Sequence, residues 1–170
     1  MKREAIKSLT FISLCVAIMA IISQLSIPIG TVPMTLQVLS VAFIGYFLGV
    51  KNGLTAIIVY ILLGAVGVPV FAGFQGGFQM LIGYTGGFVF GFIPFVCLCG
   101  IGKQKWVKIT LGLLGLSLCH IIGIIRYSAL AEITPWLSFL AVSLPYLLKD
   151  IILTVAAYFI TEKVKQIKRC

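Results

Sequence analysis

The chain has 170 residues, of which 61% are hydrophobic and only 10% charged. No soluble core of that length hides so much apolar surface, so a globular domain is excluded and an integral membrane protein remains. The formal charge of +9 does not point to nucleic acid, because the basic residues stand at the ends of apolar runs, where they set membrane topology.

The apolar runs suit helices of about 20 residues rather than the short alternating strands of a barrel. They predict an all-α bundle of six transmembrane helices, a single domain over residues 1–170. The first span runs from about Ala5 to Ser26, behind Lys2, Arg3 and Lys7. No small-x-small cleavage site follows it, so it reads as a retained span rather than a signal peptide. Ser13, Ala17 and Ala20 place small side chains along it, a spacing that lets another helix approach closely. Pro28, Gly30 and Pro33 then break the helix. Span two covers about Thr35 to Val50 and ends at Lys51-Asn52-Gly53; span three covers about Leu54 to Val68.

Between Gly64 and Gly91 lie half of the 18 glycines and no charged residue. Such a stretch is too glycine-rich for a helix interior and too apolar for a solvated loop. Irregular backbone at a membrane is tolerated where protein buries it or where it lines a cavity. The segment therefore reads as an outer loop between helices 3 and 4 that forms the lid or wall of a binding site. Gln37, Gln75 and Gln79 supply amides, which donate and accept. Phe71, Phe74, Phe78, Tyr84 and Phe88 supply flat apolar surface, each with packing as its plainer reading.

Span four covers about Gly86 to Ile101, span five about Trp106 to Tyr127, and span six about Trp136 to Ile160. Lys103, Lys105 and Lys108 sit between four and five; Lys163, Lys165, Lys168 and Arg169 close the chain. Eleven of the thirteen basic residues thus fall at alternate ends of successive apolar runs, on one side of the membrane, which places both termini in the cytoplasm and the unusual chemistry outside. Arg126, at the end of span five, is open to two readings, an interfacial anchor or a partner for an anionic ligand group. His120, deeper in the span, reads as a packed or hydrogen-bonded histidine. Lys149 and Asp150 fall near the middle of span six, where a charge needs a partner or a polar cavity. Tyr146, Asp150, Leu153, Thr154 and Ala157 share one helical face, the wall of a pocket; Lys149 points elsewhere or snorkels.

Cys15, Cys97, Cys99 and Cys119 lie in apolar runs as small packing residues, Cys97-x-Cys99 lacks the second ligand pair of a metal site, and no phosphate loop, nucleophile elbow or zinc-protease motif is present. No catalytic residue, metal or resident cofactor is expected.

The motifs Val32-Pro-Met-Thr-Leu-Gln37, Val68-Pro-Val-Phe-Ala-Gly73, Gly76-Gly77, Gly83-Tyr-Thr-Gly-Gly87 and Pro145 to Asp150 occur in this order across nearly the whole chain. This pattern resembles the BioY family, the biotin-specific substrate-binding subunits of energy-coupling-factor (ECF) transporters. The resemblance implies six helices with biotin bound near the outer side, no ATP hydrolysis, and docking on a transmembrane coupling protein carried by two ATPase subunits. It assigns the coupling face to Ser13 and Ala17 on the first helix. A basic residue for the ligand carboxylate would be Arg126 or Lys149. The rival readings are a related subunit for lipoate or dethiobiotin, a stand-alone channel or facilitator, and an intramembrane enzyme using Cys119, His120 or Asp150.

Overall fold

The computed structural model describes residues 2–28 and 30–167. Ile29, and Lys168, Arg169 and Cys170 of the basic tail, lie outside the described residues. Helix α1 (Lys2–Ser23) stops three residues before the expected Ser26, where the Ser23 hydroxyl turns back to the carbonyl of Ala20 (2.7 Å). The chain then forms a small antiparallel ladder of β1 (Ser26–Ile27) and β2 (Met34–Thr35), with Ser26 opposite Thr35 and Ile27 opposite Met34. Pro28 and Pro33 fall between the two strands, where neither interrupts the ladder.

Helix α2 (Gln37–Ala65) is two arms joined at Gly49. Gly49 has φ 74° and ψ −178°, a conformation that essentially only glycine adopts. A straight helix would separate Gly45 and Gly53 by about 12 Å. Instead, a Cβ on Gly53 would lie 3.6 Å from the Cα of Gly45, so the arms turn back on each other. The turn comes earlier than the Lys51-Asn52-Gly53 break that the sequence predicts, and the helix resumes at once.

The glycine-rich stretch that follows is more ordered than a lid of free loop. Phe71 and Gln75 form an isolated antiparallel bridge, and the N–H of Gly77 bonds to the carbonyl of Gly64 (2.7 Å). One helical turn, α3 (Gln79–Ile82), leads into α4 (Gly86–Gly100). Helix α5 (Lys105–Ala131) packs on α4 through very small side chains. A Cβ on Gly91 would come within 2.8 Å of the Cα of Cys119, and one on Gly87 within 2.6 Å of the Arg126 Cβ. Two residues four apart without side chains let the helix axes approach.

The expected sixth span is divided. Helix α6 (Pro135–Val142) starts at the Thr134 cap with a proline in its first turn, and α7 (Leu144–Ile167) begins after Ser143. Pro145 lies in the first turn of α7, where its missing N–H costs nothing. Asp150 therefore stands in the second turn of α7 and not in the middle of a continuous span. Helix α2 packs on α1, α4 and α7, and α5 also meets α6 and α7. α1, α2, α5 and α7 are each long and apolar enough to cross a membrane, and α4 is a shorter apolar helix. Large apolar side chains such as Leu9, Ile21, Leu62, Leu118 and Leu148 face outward, as a lipid solvent allows.

Candidate functional site

A cavity of about 80 Å³ lies where the strand before α2, the glycine-rich segment, α4, α5 and the start of α7 converge. Val32, Val38, Phe71, Met80, Phe88 and Phe92 make most of its wall apolar. Pro33, Ala72, Gln75, Met80 and Thr85 also line a wider, uncharged space of about 610 Å³, so the cavity continues into an open mouth.

Its charged end is built by α5 and α7. Asp150 is only 4% exposed. The Lys149 ammonium lies 2.6 Å from Asp150 Oδ1 and donates a hydrogen bond to the carbonyl of Thr35, also at 2.6 Å. His120 Nε2 is 3.3 Å from Asp150 Oδ2. Its Nδ1 is 2.7 Å from the Ser143 hydroxyl, at the break between α6 and α7. In the neutral tautomer with hydrogen on Nε2, the imidazole donates to the carboxylate and accepts from Ser143. The Phe88 ring stands edge-on to His120 (5.9 Å, 88°). Asp150 Oδ1 is buried and has no aligned hydrogen bond, despite the close ammonium. A carboxylate has about four lone-pair positions, and the contacts with Lys149 and His120 leave some of them for a further donor. Tyr146 fastens the same helix to the strand before α2 by donating to the carbonyl of Val32 (2.8 Å).

Gln37, Gln75, Phe88, Lys149 and Asp150, all singled out by the sequence, line this cavity together. Phe74, Tyr84 and Arg126 do not. Phe74 is 73% exposed at φ 57°, its N–H held by Gln24 Oε1 (2.7 Å). Tyr84 lines the mouth, with its ring 5.3 Å from that of Tyr127. Arg126 donates to the carbonyl of Ile82. The carbonyls of the one-turn α3 lack partners within the helix and attract the guanidinium. Arg126 is thus neither the partner of Asp150 nor part of the cavity.

Lys149 departs from its expected direction: helical spacing turns its Cβ from the pocket face, but four methylenes carry the ammonium back over it. His120 is hydrogen-bonded, as expected, yet it also belongs to the cavity. The signal was in the sequence, since an ionisable side chain inside a span is a candidate for function before it is one for packing. On α1, Ser13 and Ala17 are exposed and Ala20 is half-buried, away from the cavity. Among the described residues, no group of three or more His, Cys, Asp or Glu side chains is placed to hold a metal ion.

The model of the BioY family matches residues 1–169. The chain belongs to the BioY family. A probable biotin transporter BioY of Pyrococcus horikoshii is 35% identical over 159 residues, 94% of this chain and 96% of that protein. The biotin transporter BioY of Thermotoga maritima is 42% identical over 127 residues, 72% of each chain. Among solved structures, the S-component for biotin from an ECF-type ABC transporter superposes with a TM-score of 0.90. The match covers 98% of this chain and 94% of that one at 25% identity. This BioY chain is a multi-pass membrane protein, helical apart from the short β1–β2 ladder and the β-bridge between Phe71 and Gln75.

Proposed function

We propose that this BioY chain is the biotin-binding S subunit of an ECF-type importer, a transport component and not an enzyme, with one substrate-binding domain over residues 1–170. The observation that carries the reading is Asp150, a buried carboxylate paired with Lys149 and His120 at the end of an apolar cavity, with lone pairs to spare for a ligand donor. A ureido ring offers two N–H donors to one carboxylate, in charge-assisted hydrogen bonds. Gln37 and Gln75 face the polar ring, and Phe88 contacts the apolar sulfur ring. Lys149 is held between Thr35 and Asp150 and balances the charge of that end, so the anionic tail extends to the mouth, past Thr85 and Tyr84. Biotin is cargo, and the chain uses no resident cofactor.

The arrangement in the membrane follows from the same reading. The two arms of α2 count as separate spans, and α6 with α7 as one, which gives six. The glycine-rich segment then lies outside and both termini lie in the cytoplasm. The partners are a transmembrane coupling protein and two ATPase subunits, docked through the face of Ser13, Ala17 and Ala20.

The test is direct. The chain, purified in detergent from cells supplied with biotin, should carry the vitamin by mass spectrometry and bind it in a calorimetric titration. Binding of lipoate or dethiobiotin in preference to biotin would reassign the cargo, and ion conductance of liposomes holding the chain alone would point to a facilitator.

A further inference from the structure

The hydrogen bond that joins Tyr60 to the glycine-rich segment has only one possible direction. The carbonyl of Val70, at the root of that segment, can only accept. Ser23 Oγ lies 2.5 Å from it and Tyr60 Oη 2.7 Å. Tyr60 has a single hydroxyl hydrogen, and Val70 takes it. The phenol oxygen is then left as an acceptor for Gln37, whose amide is 2.8 Å away and buried. Gln37 must therefore turn Nε2 toward Tyr60, since the opposite flip would bring oxygen against oxygen with no hydrogen between them. Its Oε1 accepts from Thr35 Oγ1 (3.3 Å) with one lone pair and keeps the other, and both residues line the cavity.

We propose that Tyr60 is a positioning residue that sets the hydrogen-bonding sense of Gln37, so that this wall of the cavity accepts an N–H from the ligand, and that the carbonyl of Val70 holds the setting. The inference rests on the biotin reading and deepens it: the donor read at Gln37 is a ring N–H. It also makes the root of the glycine-rich segment part of recognition, because displacement of Val70 would release the Tyr60 hydrogen and with it the orientation of the amide.

Packing alone does not require the hydroxyl. The Tyr60 ring is fully buried and meets Phe71 edge-on at 5.6 Å, a contact that phenylalanine would keep. Ser23 shares its one hydrogen between the carbonyls of Ala20 and Val70, so Tyr60→Phe leaves Val70 that shared bond and frees Gln37.

Biotin titrations of wild type, Tyr60→Phe, Gln37→Ala, the double variant and Ser23→Ala test the relay. We expect Tyr60→Phe to stay folded with a modestly lowered melting temperature and to bind about tenfold more weakly, the size of one lost hydrogen bond. Gln37→Ala should bind at least as weakly, and the double variant should bind no worse than Gln37→Ala. Ser23→Ala leaves the Tyr60 hydrogen on Val70 and should bind as wild type does. Multiplying losses in the double variant, or normal binding by Tyr60→Phe, overturns the relay. So does a loss in Ser23→Ala equal to that of Gln37→Ala, which would mean that anchoring the segment is all that matters; this comparison stands even if Tyr60→Phe proves unstable. A wild-type chain that binds no biotin overturns the functional reading itself, and the relay with it.

Discussion

Asp150 keeps a charge where hydrocarbon would forbid one, and its neighbours make this possible. Lys149 supplies an opposite charge at 2.6 Å and His120 a ring nitrogen at 3.3 Å, itself held by Ser143. Truncating one member of such a buried set strands the other, which costs more than the pair is worth. Asp150→Asn keeps the size and removes the charge. It should weaken biotin binding at least tenfold, about 1.4 kcal/mol, and should also lower the melting temperature, because Lys149 loses its carboxylate. Adding Lys149→Met should restore much of the stability without restoring affinity. Titration calorimetry and thermal unfolding read the two effects separately, and near-normal affinity in folded Asp150→Asn would remove Asp150 from the site. The sequence marked both residues for their depth. It could not assign their partners, which lie on α5 and on the strand before α2, while Arg126 turns to α3.

At the scale of the elements, the two informative features are interruptions. Gly49 turns α2 back on itself, and Ser143 separates α6 from α7. Nothing lies within 4 Å of a Cβ placed on Gly49, so Gly49→Ala tests backbone conformation alone. It should cost about 1–3 kcal/mol, measured as a lowered melting temperature in detergent; an unchanged value would mean that the turn can form elsewhere. Local chemistry favoured a break at Asn52-Gly53, the usual turn signal. There the chain stays helical, because Gly53 is used as flat surface between Gly45 and the Val96 side chain. Packing overrides turn propensity at that point. The break at Ser143 was hidden for a related reason: Ala141 to Leu144 is apolar throughout save one serine, and hydropathy does not register a change of helix direction.

The whole molecule presents its cavity and its small-residue stripe on different surfaces, so binding and coupling should be separable. Ala17→Trp should abolish biotin uptake by the assembled transporter while leaving the affinity of the isolated chain unchanged; lost affinity would place Ala17 in the fold of the site instead. For topology, single cysteines at Phe78 and Gln166, both exposed, in a chain stripped of its own five, should label from outside and from inside respectively, and the reverse pattern would invert the orientation. The sequence alone determined the class of protein, its apolar helices and the place of the glycine-rich segment between them. Hydropathy, basic residues and glycine content are properties of short windows, and a bilayer reads them as such. Tertiary structure decided which side chains meet. The turn at Gly49, the break at Ser143 and the bent stem of Lys149 bring Gln37, His120, Lys149 and Asp150 to one cavity, and they leave Phe74, Tyr84 and Arg126 outside it. Such convergence depends on how each helix is rotated and interrupted, and those angles are set by contacts between residues far apart in the chain.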